Sequence, residues 1–294
     1  MLTHSPLFIL QLRLTAARSL SNQLYEKSTH FLLELIQNAD DNTYNCPTPT
    51  LSFSYNPGSL RIDCNEVGFT AENVEAICSI SRSTKSGKAS DGEYIGEKGI
   101  GFKSVFKVAD VVWISSREFT FKFDRTKFLG IVTPIWADFP GTTRPDCTSI
   151  YLQLSKDCEE ETLVQELLTF DTNLLIFLRR VKEINIQVAR RDQQLWEKRI
   201  GKTESQQGSD KVAVLHAGEH TFQYLIRTHV IKDLPKEPKR LNWPQTKILL
   251  AFPVAEFSQQ PRLVPQNVYA FLPIRNYGLK VRIEPFLIRG IRLI

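Results

Sequence analysis

The chain has 294 residues, of which 42% are hydrophobic and 10% aromatic, which is enough apolar material for one large domain or two smaller ones. Its net charge of +5 is mild for this size and is not concentrated in one stretch, so nucleic acid is not an expected partner. No run of about 18 apolar residues occurs, and a membrane-spanning helix is therefore not expected. The five cysteines are scattered and lack metal-binding spacing, which is typical of free thiols in a reducing compartment.

The first predicted element is a helix over residues 30–42. Its apolar residues recur at helical spacing, which places one face in a core: they are Phe31, Leu32, Leu35 and Ile36. Glu34, Asn38 and Asp41 follow one another at i, i+4 and i+7, so they stack along one side of the same helix. A carboxylate, an amide and a second carboxylate beside a buried stripe favour the wall of a pocket. An amphipathic helix with ordinary surface acids would have the same periodicity.

The next element is a strand that runs into a glycine turn at residues 60–69. Leu60, Ile62 and Cys64 alternate inward, and Gly68 follows as the turn residue. Residues 79–92 then lack apolar periodicity and are rich in Ser, Gly and Lys, a composition that predicts a mobile loop. A plain strand turn and a solvated basic loop, neither with a ligand, are the alternatives for these two segments.

A glycine-rich segment then leads into an apolar-periodic run. Its glycines are Gly96, Gly99 and Gly101, with Lys98 and Lys103 beside them. Glycines before a helix let an anion approach the backbone, and the exposed N–H groups of the helix favour phosphate. The spacing is that of neither the dinucleotide fingerprint nor the P-loop. A tight turn into a helix would look similar.

We call the helix at residues 34–41 the first motif, the strand and turn at 60–69 the second, and the glycine-rich segment at 96–104 the third. The first and third motifs, in this order and at this separation, resemble the GHKL ATPase superfamily. That superfamily includes the ninety-kilodalton heat-shock chaperones, gyrase B, MutL and the histidine kinases. Residues 34–41 read Glu-Leu-Ile-Gln-Asn-Ala-Asp-Asp, and residues 96–104 carry the pattern Gly-x-Lys-Gly-x-Gly-Phe-Lys-Ser. These runs are most similar to the sacsin and NO VEIN branch. The resemblance implies ATP or ADP with Mg²⁺ as cofactors.

The resemblance also implies a role for each polar residue of the first motif. The glutamate matching Glu34 polarises the water that attacks the γ-phosphate, and the asparagine matching Asn38 binds Mg²⁺ and phosphate. The acid matching Asp41 lies at the adenine and ribose side. The residue types agree with this chemistry, because a carboxylate can orient water and a neutral amide can join the oxygen shell of a magnesium ion.

The adenine side departs from the chaperone pattern Asp-x-Gly-x-Gly. A gapless match on Gly68 puts Cys64 at the aspartate position and Glu66 at the first glycine. The sacsin and NO VEIN branch is similar to this chain in having Asn-Glu-x-Gly-Phe here. We consider Asp63 and Asn65 as replacements for the missing carboxylate, and the residue that anchors adenine stays open.

The resemblance assigns two further sets of nucleotide contacts. The loop over residues 79–92 corresponds to the lid that folds over bound nucleotide, and its candidates to reach phosphate are Arg82, Ser83 and Lys85. The third motif corresponds to the phosphate-binding segment, with the candidates Gly96, Lys98, Gly99, Gly101, Phe102 and Lys103.

Downstream patterns complete the expected fold. Strands are predicted at 111–115, 119–123, 148–154 and 183–188, and a helix at 163–180. Together with the resemblance they predict an α/β (α+β) two-layer sandwich, the Bergerat fold, in which helices cover one face of a mixed or antiparallel sheet. This nucleotide-binding domain would occupy residues 1–190.

Residues 191–294 are expected to hold a linker and an incomplete, transducer-like second domain, a partial second α/β region. The polar stretch 189–211 is interpreted as a linker or an exposed hairpin. Strands follow at 212–215, 221–227, 247–252 and 268–272. Residues 271–280 are similar to the segment that opens the second region in the sacsin and NO VEIN branch.

The function expected from these motifs is an ATP-binding module, with slow Mg²⁺-dependent ATP hydrolysis serving as a conformational switch. The alternative is a nucleotide-binding or scaffold module that does not hydrolyse ATP. A DNA-acting relative of MutL type is disfavoured by the absence of a basic, aromatic-interleaved patch, and a histidine kinase by the lack of a phosphoacceptor helix. Expected partners are the nucleotide, an unidentified protein client and a second copy in a homodimer, without a membrane.

The expected localisation is intracellular, in the cytoplasm or nucleus. Residues 1–24 contain arginine and serine but no acid, which resembles a transit peptide. Residues 20–27, however, match the helix that leads into the first motif in the resembled family, and this favours the cytosol or nucleus.

Overall fold

The computed structural model describes residues 30–78, 101–144, 146–190, 194–207, 210–232, 246–254, 267–270, 272–276 and 282–285. Within these ranges the protein is a mixed α+β chain in which strands outnumber helices. The chain divides into two compact units. Described residues up to Phe170, together with Ile186–Glu197, form the first unit; Asp171–Asn185 and those from Lys198 onward form the second.

The described residues of the first unit form the helices α1 (His30–Asp40), α2 (Ala71–Cys78) and α3 (Glu160–Leu168) and the 3-10 helix η1 (Phe102–Lys107). Its strands are β1 (Thr50–Asn56), β2 (Ser59–Cys64), β3 (Ala109–Ser116), β4 (Phe119–Asp124), β5 (Ile135–Trp136), β6 (Thr148–Leu154) and part of β7 (Glu183–Ala189). The strands predicted at 111–115, 119–123 and 148–154 are thus confirmed as β3, β4 and β6.

The sheet of the first unit has the order β7-β1-β2-β6-β3-β4-β5. From β1 to β5 each recorded pairing is antiparallel. Successive side chains of a strand point to opposite faces, so register decides which residues share a face. Phe53 pairs with Ile62 and Ile114 with Phe121, and all four are fully buried. These residues form the core on one face of the sheet.

The helix predicted over residues 163–180 is wrong, because it breaks after the first half. At the end of α3, the Thr169 N–H donates a hydrogen bond to the Gln165 carbonyl at 2.9 Å. Asp171 then accepts hydrogen bonds from the backbone N–H of Asn173 at 3.0 Å and from its side-chain amide at 2.6 Å. Such an Asx turn offers the backbone an alternative to the helix. The short helix α4 (Leu174–Phe177), with all four residues buried, follows.

The second unit contains α4 and the start of β7. Its further described strands are most of β8 (Leu195–Gln207), β9 (Asp210–Ala217), β10 (His220–Ile231), β11 (Thr246–Val254), β12 (Asn267–Ala270), β13 (Leu272–Asn276) and β14 (Arg282–Pro285). Their order is β13-β12-β14-β11-β10-β9-β8. β8 occupies the polar stretch interpreted as a linker or exposed hairpin, and its antiparallel pairing with β9 matches the hairpin. The two-layer Bergerat arrangement stays a prediction.

Candidate functional site

Helix α1 carries Glu34 and Asn38 of the first motif, and nearly all of the helix is buried. Glu34 is only 3% exposed, and Asp41, which directly follows the helix, is also buried. Asn38 is the member of the polar set that keeps partial access to solvent. The expected helix with one buried face is therefore enclosed on most sides, and its carboxylates lie inside the protein.

Glu34 lies directly against Gly101, which joins the first and third motifs in space. A Cβ atom added to Gly101 would overlap Oε2 of Glu34 and lie 3.4 Å from its Cδ. Gly101 immediately precedes η1, and its carbonyl accepts hydrogen bonds from the hydroxyl of Ser104 at 2.6 Å and from the Ser104 N–H at 3.1 Å. A buried carboxylate thus faces the backbone of the glycine-rich segment.

Lys103 lies at the start of η1, and its ammonium faces a carbonyl and aromatic rings. Nζ donates to the Ile131 carbonyl at 2.5 Å and lies 4.4 Å from the centroid of the Phe123 ring. The half-buried Phe102 ring is 6.0 Å away. Burial lowers the pKa of Lys103 to about 7, opposed by the nearby Cys78 thiol. These contacts brace the segment around η1, and they give no support to the predicted phosphate contact of Lys103.

Cys64, at the position of the chaperone aspartate, lies on the α1 side of the sheet. The Tyr44 hydroxyl donates to the Ala39 carbonyl of α1 at 2.7 Å and lies 3.1 Å from Cys64 Sγ. Because the phenol proton is used by Ala39, the thiol is left to donate to the phenol oxygen. Burial raises the pKa of Cys64 to about 12. The residue that the resemblance matches to the chaperone aspartate is therefore a neutral thiol.

Asp63 lies on the opposite face of the sheet from Cys64, because adjacent residues of a strand alternate. Its buried carboxylate accepts from Nε of Arg61 at 2.9 and 3.0 Å and from the Ser149 hydroxyl at 2.6 Å. The side chain is 3% exposed, and these partners surround it. The structure thus places the sheet between Asp63 and Glu34, which does not favour Asp63 as a nucleotide contact.

The side chain of Asn65 braces a neighbouring loop. Its amide oxygen accepts from the Thr50 N–H at 2.6 Å, and its amide nitrogen donates to the Thr48 carbonyl at 3.0 Å. Gly68 has φ +86°, a conformation that favours glycine, and an added Cβ would lie 2.6 Å from Cγ of Arg117. Both residues shape the turn after β2. The partners described for them are Thr48, Thr50 and Arg117, and Glu34 is not among these.

A buried hydrogen-bond network that sequence reasoning missed joins Glu66, Thr148 and Ser116. The Phe69 N–H donates to the Ser116 hydroxyl at 2.8 Å, which lies 2.6 Å from the Thr148 hydroxyl. Thr148 in turn donates to the Glu66 carboxylate at 2.5 Å. In the sequence, Glu66 stood only as a substitute for a glycine, and Thr148 and Ser116 lay within strand patterns. No short motif links them, because strand register and the turn at Gly68 bring them together.

Six predicted contacts lie outside the described residues: Arg82, Ser83, Lys85, Gly96, Lys98 and Gly99. In the part of the chain that the structure describes, no group of three His, Cys, Asp or Glu side chains could hold a metal ion. All five cysteines carry free thiols. Across the same described ranges, no helix is long and apolar enough to cross a membrane.

The chain is similar to Protein NO VEIN of Arabidopsis thaliana. The two are 32% identical over 300 residues, which covers 92% of this chain and 10% of that protein. The chain therefore spans about a tenth of the length of the relative it matches. No family model matches the chain. The relationship to NO VEIN indicated by the motifs is confirmed along most of the chain, whereas GHKL membership and the likeness to sacsin stay predictions.

Proposed function

We propose that this chain is an ATP-binding module of GHKL type that hydrolyses ATP slowly with Mg²⁺ and uses the cycle as a conformational switch. The observation that carries the proposal is the contact between Glu34 and Gly101. The two residues belong to separate motifs whose combination resembles the GHKL superfamily, and their contact gives a buried carboxylate beside a backbone suited to phosphate. The two-layer Bergerat sandwich and the sacsin-like character are parts of the same proposal.

The donor set fits a magnesium ion that is bound together with nucleotide. The described residues offer no acidic cluster for a metal alone, so most of the ligands would be phosphate oxygens and water. Asn38, which is partly exposed, would supply the protein ligand. The ion would neutralise charge on the phosphates. Glu34 would orient the attacking water.

A second candidate function is a nucleotide-binding or scaffold module without hydrolysis. Two observations favour it: Cys64 is a neutral thiol engaged with Tyr44, and both ends of the Asn65 amide are engaged with the loop at Thr48 and Thr50. Neither side chain supplies the carboxylate that the chaperone pattern has on the adenine side of the nucleotide. In this function Glu34 would remain a buried acid without a catalytic role.

Calorimetric titration with ATP, ADP and GTP in the presence of Mg²⁺ tests the proposal. We expect saturable binding of ATP and ADP, and at least tenfold weaker binding after Asn38→Ala. Asn56→Ala is the matched control, since Asn56 is an exposed asparagine at the end of β1. Heat signals no larger than dilution for the wild-type protein at millimolar nucleotide would refute the nucleotide site.

A further inference from the structure

The backbone at Gly101 does not itself require glycine. Gly101 has φ −56° and ψ −48°, in the right-handed helical region that residues of every type adopt readily. The need for glycine at such a position must come from the space around its missing side chain.

That space is filled by Glu34. Among the described residues, apart from the chain neighbours of Gly101, only Glu34 has atoms within 4 Å of an added Cβ, namely Oε2 and Cδ. Glu34 is 3% exposed, so its carboxylate is enclosed at this place. A side chain at residue 101 and the carboxylate in its present position are therefore mutually exclusive.

The backbone of Gly101 is held within its own turn. Its carbonyl is held by two hydrogen bonds from Ser104, and the next residues of η1, Val105 and Phe106, are buried. Glu34 contacts the position with the far end of a side chain that has three rotatable bonds. The atom that a Cβ at residue 101 would overlap is thus the end of a side chain, and the Glu34 carboxylate is the group that we expect to move.

We infer that Gly101 is a positioning residue for Glu34. Because residue 101 has no side chain, the Glu34 carboxylate can occupy the space beside its Cα. As far as hydrolysis is concerned, the inference rests on the proposed function. The glycine-rich motif leads one to expect that Gly101 makes room for a phosphate. In this inference Gly101 instead makes room for Oε2 of Glu34, an atom of the protein itself.

The first test is a thermal unfolding cycle that needs no nucleotide. Gly101→Ala is placed in the wild-type, Glu34→Gln and Glu34→Ala backgrounds. Glutamine keeps the size of glutamate, so we expect Gly101→Ala to lower the unfolding midpoint in the first two backgrounds. In Glu34→Ala the overlap is absent, and alanine in a helical conformation should leave the midpoint unchanged or raise it.

Gly201→Ala in β8 is the matched control, since nothing lies within 4 Å of an added Cβ there. Its effect should be the same in all three backgrounds. Equal midpoint shifts for Gly101→Ala in the three backgrounds would overturn the positioning role.

The second test separates the effects on kcat and KM. We expect Gly101→Ala to lower kcat at least tenfold, to leave KM and nucleotide affinity within a few-fold, and to have no further effect in the Glu34→Ala background. A loss of nucleotide affinity as large as the loss of kcat would assign Gly101 to phosphate approach and overturn the inference. If the wild-type protein binds nucleotide without turnover, the proposed hydrolysis fails and the unfolding cycle alone decides the role of Gly101.

Discussion

Glu34 is a buried carboxylate with a defined neighbour, and this makes its role separable from that of an ordinary acid on a helix. It is buried in α1, and its Oε2 lies against Gly101. In the proposed function this group orients a water molecule toward the phosphate. Removal of the carboxylate should then affect the chemical step far more than binding.

We expect Glu34→Ala to leave ATP affinity within a few-fold and to remove hydrolysis, because general-base contributions are about 10² to 10⁴ in rate. Phosphate release under saturating Mg²⁺ and ATP measures the effect. Glu118→Ala, at an exposed glutamate in the β3–β4 turn, is the control. Equal rates for the wild-type and Glu34→Ala proteins, with contaminating ATPase removed, would favour the scaffold function.

Lys103 links protonation to stability. Burial lowers its folded-state pKa from 10.5 to about 7. Between these two values the unfolded chain binds more protons than the folded protein, so the free energy of unfolding rises with pH over this window. Above pH 9 the buried Cys64, whose pKa is raised to about 12, acts in the opposite direction. The contribution of Lys103 is therefore best isolated between pH 7 and pH 8.5.

We expect the wild-type protein to gain about 1 to 2 kcal/mol of stability relative to Lys103→Met between pH 7 and pH 8.5. Methionine keeps an unbranched stem among the aromatic rings without a titrating group. Chemical denaturation at both pH values measures the difference. A constant difference between the two proteins would show that the buried amine does not titrate in this range.

At the scale of elements, a single carboxylate oxygen joins α3 to the β1–β2 hairpin. Oε2 of Glu160 accepts from the Tyr55 hydroxyl at 2.5 Å and from the Gly58 N–H at 2.8 Å. Tyr55 is buried, so loss of this acceptor removes a hydrogen bond from a largely desolvated side chain. The start of α3 is thereby held to a turn that is distant in sequence.

We expect Glu160→Ala to lower the free energy of unfolding by about 1 to 3 kcal/mol. Glu161→Ala is a matched control, because Glu161 is exposed in the same first turn of α3. In a Tyr55→Phe background the cost of Glu160→Ala should fall, since the buried hydroxyl is gone. Equal costs for Glu160→Ala and Glu161→Ala in chemical denaturation would contradict the link.

Sequence pattern predicted some elements well and failed at a defined point. β3, β4 and β6 follow from local alternation of apolar and polar residues. The helix over 163–180 failed because its apolar spacing continues through Asp171 and Asn173, where side chains bond to the backbone and stop the helix. Periodicity reports which side of an element is buried, but it does not register local competition for backbone hydrogen bonds.

At the scale of the whole molecule, binding of a ligand to the folded chain should be visible as stability. The residues of the candidate site that the structure describes belong to the first of the two compact units. A ligand that binds the folded state stabilises it by mass action, by about 2.7 kcal/mol at a concentration 100 times Kd. Stabilisation of the chain by nucleotide therefore tests the proposed site without any assay of turnover.

We expect Mg²⁺ with ATP or ADP to raise the unfolding temperature of the transition that includes the first unit. Mg²⁺ alone is the control, because the ion of the proposed site is held together with nucleotide phosphates. Asn38→Ala should remove most of the shift, and Asn56→Ala should preserve it. An unchanged melting curve at millimolar nucleotide would remove the proposed site.

The sequence alone determined the polar set of the first motif, several strands and the likeness to NO VEIN, which the comparison confirmed. These inferences depend on residues that are close in the chain, whose spacing fixes a face of a helix or strand. The polar stripe of α1 and the strand leading to Gly68 could be predicted for this reason. The roles assigned to them came from resemblance and stay predictions.

Only the tertiary structure decided how these side chains are used. It placed Glu34 against Gly101, turned Lys103 toward Ile131 and Phe123, and put Asp63 across the sheet. It also assembled Glu66, Thr148 and Ser116 into one hydrogen-bond network. The physical reason is that such contacts depend on strand register and on packing between elements far apart in the chain, whereas local periodicity specifies only which face of each element is buried.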